Sequence, residues 1–374
     1  MSDTSFPLPR VLFFDHSLEM GGAEHSLLDI ISSIQSFDPL FVTPSHKLLA
    51  KFSSLGIRSI LFPIPLRVLK RKREKLFSFS DIYNLPILVC RFIRLLKIEK
   101  PSLVYTNTQK SHLIGVIASR IARIPCIVHF RDILPQNIFI RIWLHILCLF
   151  ATRIIAISKA VAKELPGTAK IKVIYNGVKI PQLSTLNSQL STPTVGYVGQ
   201  IARWKGIEYF IDSAILITKE FPDTKFVIIG GPIFGDENYL KELKQRATNL
   251  SLNGRVQFLG EKENIMSYMK ELDILVHPPI APEPFGRVII EAGAMGKPVV
   301  ATNIGAIPEI IEDKVSGILV PPKNASSIAA AVKWLITEPH STIAMGAKAQ
   351  ERVDKYFNLN KMIREIEDVI KGAL

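Results

Sequence analysis

Residues Pro278–Thr302 read PPIAPEPFGRVIIEAGAMGKPVVAT, and this stretch decides the fold. The apolar run just before this stretch, Ile274–Val276, and the run at its end, Val299–Ala301, have the length and the β-branched content of buried strands. Between them, the residues that follow Gly286 have the length and the apolar spacing of a helix. A strand, a helix and a second strand in this order predict a parallel sheet with helices packed on both faces.

The same alternation of short apolar runs and longer amphipathic segments fills the chain of 374 residues, which is long enough for two hydrophobic cores. A segment without charge or long apolar periodicity, Pro181–Thr194, reads as a linker. We therefore predict an α/β protein with two doubly wound, Rossmann-like domains at 1–184 and 185–355, followed by a C-terminal helix at 356–374. The sequence allows that helix to pack on either domain. The predicted strands are Val11–Phe14, Leu40–Thr43, Leu103–Tyr105, Cys126–Phe130, Arg153–Ile157 and Lys172–Tyr175 in the first domain, and Thr194–Val198, Lys225–Ile229, Val256–Leu259, Ile274–Val276, Val299–Ala301 and Gly317–Val320 in the second.

Two glutamates in the quoted stretch carry the main chemical signal. Glu283 lies between two prolines, which keep it in a loop, and Glu291 lies one turn into the helix that begins near Gly286. The first amides of that helix lack intrahelical partners and attract anions. Carboxylates suit the vicinal hydroxyls of a sugar or ribose, and amides suit a pyrophosphate. A nucleotide sugar presents a sugar, a ribose and a pyrophosphate together. Taken alone, Glu283 is explained by a solvated loop and Glu291 by the helix dipole.

The spacing E-x7-E of these glutamates resembles the pattern of retaining glycosyltransferases of family 4. Further segments resemble the same family in the family's order. They are Val195–Ala214, Val227–Gly231, Val256–Gly260, Glu271–Pro278 and Ile307–Asn324 in the second half, and more thinly Gly21–Ile30, Ile127–Asp132, Ala156–Ser158 and Ile174–Val178 in the first. The resemblance implies a GT-B fold, in which two domains face a cleft, and a transfer of sugar from a nucleoside-diphosphate sugar to a saccharide or lipid-linked acceptor with retention of configuration.

The resemblance also implies roles for the residues of the E-x7-E stretch. Glu283 would hold hydroxyls of the donor sugar, and Glu291 would bind the ribose. The backbone amides of Phe285, Gly286 and Arg287 would contact the sugar and the phosphates. The chemistry of each group agrees with its role.

Two sites in the first half are weaker candidates. Gly21 and Gly22 follow the first strand and open a helix, as a close approach of a phosphate or sugar requires, but ordinary turn chemistry explains them equally well. His129 stands at the end of a strand and resembles the family's histidine near the transferred sugar, to which it could donate a hydrogen bond. A lone strand histidine is otherwise structural.

Two cations, Arg203 and Lys205, follow the strand at Thr194–Val198 and could neutralise the departing nucleoside diphosphate. Relatives usually carry arginine where this chain has Gln200, so the sequence leaves open which cation contacts the phosphates. No Asp-x-Asp occurs in the chain, and we therefore expect neither a metal nor a cofactor.

Basic charge is concentrated in the first half. Residues 1–190 contain 25 Lys and Arg against 11 Asp and Glu, whereas residues 191–374 contain 21 against 22. Cations are densest at Leu66–Lys75, and the segment ILVCRFIRLLKIEK carries Arg91, Arg94 and Lys97 as one stripe. Together with the apolar segment NIFIRIWLHILCLF, these features predict docking on an anionic membrane surface. Packing on a parallel sheet explains the two helices equally well.

The three cysteines, Cys90, Cys126 and Cys148, are odd in number and lack metal-ligand spacing, which fits a reducing compartment. The chain shows no export signal and no uncharged apolar run near 18 residues. We therefore expect a cytoplasmic protein that is peripheral on the inner face of the cytoplasmic membrane.

Two alternative functions remain open from the sequence. A sugar-nucleotide epimerase or hydrolase could use the same scaffold, because a fold does not fix a reaction. Nucleic-acid binding by the basic half is the other, and it is disfavoured because the chain lacks a recognised RNA or DNA module and has few aromatic residues within the charge run.

Overall fold

The computed structural model describes residues 7–69, 81–134, 137–181, 192–232, 236–262 and 264–374. Its two compact units are Met1–Asn176 with Leu359–Leu374, and Gly177–Asn358. This division falls before the predicted boundary at 184/185, and local hydrogen bonds explain it. Asn176 Oδ1 accepts from Ser26 and Arg131 of the first unit, whereas the Val178 N–H donates to the Phe357 carbonyl in the second. Most of the predicted linker, residues 182–191, lies outside the described residues.

The described residues of the first unit form a seven-stranded parallel sheet in the order β3-β2-β1-β4-β5-β6-β7. The order runs outward from β1 and β4, so the topological switch point lies between these two strands. The strands are β1 Arg10–Phe14, β2 Asp38–Thr43, β3 Arg58–Leu61, β4 Leu103–Thr106, β5 Cys126–Phe130, β6 Arg153–Ala156 and β7 Ile171–Val173. The helices are α1 Gly22–Ser33, α2 His46–Ser53, α3 Leu66–Leu69, α4 Asp81–Glu99, α5 Gln109–Ala122, α6 Ile138–Phe150, α7 Lys159–Glu164 and, at the end of the chain, α15 Leu359–Lys371.

Helices cover both faces of this sheet. On one face, Val11 of β1 belongs to a buried cluster with residues of α1, α2 and α15. On the other face, Phe14 of β1 stacks on Phe92 of α4, and Phe130 of β5 contacts Trp143 of α6. Helix α5 packs against both α4 and α6. The C-terminal helix is thus part of the first unit, through six buried apolar residues, of which Ile366 and Ile370 are fully enclosed.

The described residues of the second unit form a six-stranded parallel sheet in the order β10-β9-β8-β11-β12-β13. Its switch point lies between β8 and β11. The strands are β8 Thr194–Val198, β9 Lys225–Ile229, β10 Val256–Gly260, β11 Ile274–His277, β12 Val299–Thr302 and β13 Ile318–Val320. The helices are α8 Ile207–Thr218, α9 Glu237–Asn249, α10 Ile265–Glu271, α11 Arg287–Ala294, α12 Ile307–Ile310, α13 Ala325–Thr337 and α14 Pro339–Tyr356, with a single 3₁₀ turn at Arg203–Lys205.

The predicted α/β class with two parallel sheets is confirmed, with corrections at particular elements. The sequence does not predict β3, because RSIL is a short edge strand whose side chains are only partly buried. The strand predicted at Lys172–Tyr175 lies at Ile171–Val173, and the C-terminal helix begins at Leu359 rather than at 356 because α14 continues to Tyr356. Within the described ranges, no helix has the length and apolar content needed to span a membrane.

Candidate active site

Side chains from the loops after β8 and β11 meet at the switch point of the second sheet. Lys205, in the 3₁₀ turn after β8, places Nζ 2.7 Å from Oε2 of Glu283, in the loop after β11. Only 15% and 12% of the two side chains are exposed. Open α/β sheets bind ligands beyond the carboxyl ends of their strands at such a point. A buried ion pair at this position is therefore a candidate binding group.

The Lys205 ammonium keeps Glu283 ionised. Burial alone would raise the pKa of Glu283, but the charge of Lys205 holds that pKa well below its ordinary value. His277, the last residue of β11, has Nε2 3.6 Å from Glu283 Oε2, just beyond hydrogen-bond distance. Burial lowers the pKa of His277, which favours its neutral form. Both of its ring nitrogens are enclosed without a hydrogen-bond partner among the residues described.

The backbone of Glu283 is fixed by the loop that follows β12. The Ala306 N–H donates to the Glu283 carbonyl at 2.9 Å. Gly305 has φ +61°, and a Cβ there would lie 2.4 Å from both the backbone nitrogen and the backbone oxygen of Glu283. Only glycine therefore fits at position 305 without moving the glutamate. The structure thus gives Gly305 a direct role in positioning Glu283.

A second close approach joins the loops after β8 and β11. The Ile280 N–H donates to the Trp204 carbonyl at 2.9 Å. A Cβ on Gly206, which has φ +66°, would lie 2.1 Å from the Pro278 carbonyl oxygen. These backbone contacts hold Lys205 and Glu283 on adjacent, tightly packed loops, so their ion pair does not depend on two flexible side chains alone.

Helix α11 begins where the sequence predicts. Gly286 is its N-cap in a left-handed conformation, and no side chain caps it. Arg287 Nε donates to Glu291 Oε1 at 2.7 Å, and both side chains are mostly buried. Phe285 is buried, with its ring edge-on to Phe357 at 5.9 Å between centroids. The helix start, Glu283 and Glu291 thus belong to one rigid segment of the second unit.

The other cation of the loop after β8 lies elsewhere. Arg203 makes two hydrogen bonds to Glu242 of α9, at 2.9 and 2.7 Å, and its guanidinium covers the Tyr239 ring. This pair is exposed to solvent. Gln200 is exposed, and its carbonyl accepts from the Tyr197 hydroxyl. Of the two predicted cations, the structure brings Lys205 to Glu283 and does not bring Arg203 there.

In the first unit, His129 at the end of β5 is buried in a polar network. Arg131 Nη2 lies 3.0 Å from His129 Nδ1, and the Tyr105 hydroxyl lies 2.5 Å from the same atom. An arginine can only donate, so Nδ1 accepts and the ring proton is on Nε2. Burial, reinforced by Arg131, lowers the pKa of His129 well below its ordinary value. His129 is therefore neutral, and its Nε2 is enclosed without a partner in the described part of the chain.

The same network continues to the switch point between β1 and β4. Arg131 Nε donates to Asn107 Oδ1 at 2.6 Å, and Asn107 Nδ2 donates to Asp15 Oδ2 at 2.6 Å. Burial raises the pKa of Asp15. Glu24 accepts from the Gly21 N–H at 2.9 Å, and its burial, together with the charge of Asp15, raises its pKa to about 7.

Gly21 and Gly22 have no steric need to be glycine in this network. Gly21 has an extended backbone with φ −135°, and the space that a Cβ on Gly22 would occupy is open. What remains of the prediction is an open surface beside the start of α1.

Among the residues that the structure describes, no group of three or more His, Cys, Asp or Glu side chains could hold a metal ion. The three cysteines are unpaired, Cys90 at the surface and the other two buried.

Two family models and several solved structures match this chain. The family model described as "Glycosyl transferases group 1" matches residues 182–352, and that of "Glycosyltransferase Family 4" matches residues 20–181. Among solved structures, the chain is similar to Anabaena Alr3699/HepE, crystallised in complex with UDP and glucose and with UDP-glucose. The two are 30% identical over 97% of this chain and 99% of that chain, with a TM-score of 0.83.

The chain belongs to glycosyltransferase family 4. It has the GT-B fold, as the sequence predicts. Curated relatives include the capsular polysaccharide biosynthesis glycosyltransferase CapM of Staphylococcus aureus, 28% identical over 82% of this chain and 85% of CapM. Another is the UDP-Gal:alpha-D-GlcNAc-diphosphoundecaprenol alpha-1,3-galactosyltransferase of Escherichia coli, 27% identical over 74% of this chain and 76% of that enzyme. The protein is therefore a glycosyltransferase.

Two buried residues of this glycosyltransferase are not predicted from its sequence. His277 faces Glu283 but looks like an ordinary strand residue, and only its position directly before two prolines marks it. Arg131 donates to His129 in the buried network. In the sequence, only its position two residues after His129, in the segment Ile127–Asp132, indicates this role.

We expect Lys205→Met to lower the free energy of unfolding by about 3 kcal/mol at neutral pH, because it leaves an ionised Glu283 buried without its cation. In the wild type the native pKa lies below the ordinary value of 4.5, so the pair stabilises above pH 4.5 and this stability is lost as the pH falls through the native pKa. In the variant burial raises the pKa of Glu283, so its stability relative to wild type should recover on acidification. Urea unfolding at neutral and acidic pH measures both effects.

Lys348→Met, which breaks an exposed pair with Glu351, is the matched control and should change stability little. Lys205→Met combined with Glu283→Gln should regain most of the lost stability. A Lys205→Met protein as stable as wild type would show that the pair is not buried as described.

We expect Gly305→Ala to abolish most transferase activity while the protein remains folded, because the new Cβ displaces the Glu283 backbone. Gly254→Ala is the matched control, since Gly254 also has positive φ, +78°, but open space around its Cβ position. Both variants carry the backbone strain, and only Gly305→Ala moves Glu283. Equal activity in the two variants would refute the positioning role of Gly305.

Proposed function

We propose that this glycosyltransferase moves a hexose from a nucleoside-diphosphate sugar to a saccharide or lipid-linked acceptor, with retention of configuration and without a metal ion. The observation that supports the donor site best is the buried Lys205–Glu283 pair beside the start of α11, at the switch point of the second sheet. It combines a cation, a carboxylate and helix amides, the three groups that a sugar diphosphate requires.

Different residues of the site would bind the diphosphate, the sugar and the ribose of the donor. The amides of Phe285, Gly286 and Arg287 and the Lys205 ammonium would bind the diphosphate. Lys205 has three N–H donors and uses one for Glu283, so others remain for phosphate oxygens. Glu283 contacts Lys205 through Oε2, and Oε1 would accept from a sugar hydroxyl. Glu291, oriented by Arg287, would accept from the ribose hydroxyls.

The reaction breaks the bond between the anomeric carbon and the diphosphate oxygen and forms a bond from the same carbon to an acceptor hydroxyl oxygen. The acceptor proton leaves with the diphosphate or passes to solvent. Negative charge develops on the leaving diphosphate, and the fixed Lys205 ammonium stabilises it without reorganisation. This fixed cation supports a reaction without a metal, which activity in excess EDTA tests. Retention requires the acceptor to approach from the face that the diphosphate leaves.

His129 is suited to contact the transferred sugar. Its proton is on Nε2 because Arg131 donates to Nδ1, so the neutral ring offers a donor over the ordinary pH range. Arg131 is a positioning residue in this account, since it acts through the histidine. Gly22 leaves open space at the start of α1, beside Gly21, where a sugar or phosphate oxygen could approach.

We infer that UDP-hexose is the first donor to test. The similar Anabaena structures contain UDP with glucose and UDP-glucose, and the E. coli relative is named for UDP-Gal and a diphosphoundecaprenol acceptor. The S. aureus relative is named for capsular polysaccharide. These names support a role in the synthesis of cell-envelope glycans, at the cytoplasmic face of the membrane where the unpaired cysteines stay reduced.

We expect Glu283→Ala to remain folded and to lose transfer activity at least about tenfold, which corresponds to about 1.4 kcal/mol in the barrier, because the variant lacks the carboxylate that would accept from a sugar hydroxyl. Glu220→Ala is the matched control, since Glu220 forms an exposed pair with Lys333. Release of nucleoside diphosphate, with and without acceptor, is the measurement. Near-normal activity of Glu283→Ala would overturn the site, and full turnover without an acceptor would indicate an epimerase or hydrolase.

A further inference from the structure

One face of α6 is apolar and exposed to solvent. Six of its side chains lie there, and Phe139 and Leu149 are 74% and 68% exposed. Helical geometry turns each residue by about 100°, which places the six within an arc of about 120°. They are Ile138, Phe139, Ile142, Ile146, Leu149 and Phe150, and together they are named the α6 face.

The α6 face is firmly presented by the fold. The opposite side of the helix, including Trp143 and Leu147, is buried. Asn137 caps the first turn by accepting from the Ile140 N–H at 2.9 Å. At the other end, Lys170 Nζ donates to the carbonyls of Cys148, Leu149 and Ala151 at 3.2, 2.9 and 2.9 Å. A helix held at both ends displays its apolar residues as a stable surface.

Helix α6 itself carries no acidic residue. Arg141 and His145 are exposed and flank the apolar arc on one side. The sequence contains no acidic residue between Asp132 and Glu164. Helix α4, which covers the same face of the sheet, exposes a stripe with Arg91, Arg94 and Lys97.

The same asymmetry holds between the two units. The first unit contains 27 Lys and Arg against 14 Asp and Glu, a net charge of +13. The second unit contains 19 of each and is neutral. The whole net charge of the protein therefore belongs to the unit that carries the α6 face.

We propose that the α6 face inserts into the interface of an anionic lipid bilayer. Helix α6 has 13 residues and is about 20 Å long, shorter than a bilayer core of about 30 Å, so it would lie in the plane of the membrane. Apolar side chains enter the headgroup boundary, and the flanking cations contact acidic headgroups. The charge of the first unit favours this occupant over a second copy of the chain, which has the same positive charge. The inference does not depend on the proposed function.

Vesicle flotation of the full chain tests the proposal. The vesicles contain phosphatidylcholine alone or with phosphatidylglycerol, at low and high salt. The test variant is Phe139→Ser/Ile142→Ser/Leu149→Ser, and the matched control Ile98→Ser/Ile121→Ser/Trp334→Ser changes three exposed apolar residues elsewhere. We expect wild type and control to bind vesicles with phosphatidylglycerol, more weakly at high salt, and binding of the test variant to fall about tenfold.

Wild type that does not bind acidic vesicles, or a test variant that binds as wild type does, overturns the proposal. A lipid-free dimer that the test variant dissociates, without vesicle binding by wild type, would assign the face to a second copy. Should the test variant unfold, Phe139→Trp provides a second measurement, in which acidic vesicles should shift the tryptophan emission to the blue. An unshifted emission overturns the proposal. The test variant should bind a nucleoside diphosphate as tightly as wild type does. This control distinguishes a loss of membrane binding from a loss of the donor site.

Discussion

The ion pair between Lys205 and Glu283 is the interaction on which the site in the second unit depends. A carboxylate buried at the end of a parallel sheet needs a cation and a fixed backbone, and the loops after β8, β11 and β12 supply both. Gly206 and Gly305 permit the close backbone contacts that bring these loops together. The prolines around Glu283 restrict its loop, and α11 starts four residues later, at Arg287. One ion pair thus depends on both strand order and loop packing, and in the proposed function it binds the sugar donor.

In the first unit, the corresponding buried group is a neutral histidine, His129, which Arg131 contacts. Arg131 is buried, and its guanidinium donates to Asn107, Ser26, Asn176 and the Nδ1 of His129. This arrangement fixes the tautomer of the histidine. The same unit carries the whole net charge of the protein and the exposed apolar helix α6, whereas the second unit is neutral. The net charge and the α6 face both belong to the first unit. This is the distribution expected if the first unit binds a membrane surface and the second unit binds the sugar donor.

Local signals in the sequence predict the fold and part of the site. Periodicity and the prolines around Glu283 predict the loop and the helix after Gly286, because both depend on neighbouring residues. Other features depend on distant contacts and leave little local trace. The edge strand β3 has no continuous apolar run. His277 is only six residues before Glu283, but the sequence does not show that the loop folds back to bring the two side chains 3.6 Å apart. The engagement of Arg203 by Glu242 depends on how α9 packs, which a single sequence does not reveal.

The assignment of Glu283 to the donor sugar is tested by calorimetry. Binding of UDP and of UDP-hexose, in EDTA, is measured for wild type and for Glu283→Gln. If Lys205 and the helix amides bind the diphosphate and Glu283 binds the sugar, UDP binds both proteins alike. UDP-hexose then binds the variant about tenfold more weakly than wild type, which corresponds to about 1.4 kcal/mol. Loss of UDP and UDP-hexose binding to the same extent, or no effect on either, would contradict the assignment of Glu283 to the donor sugar.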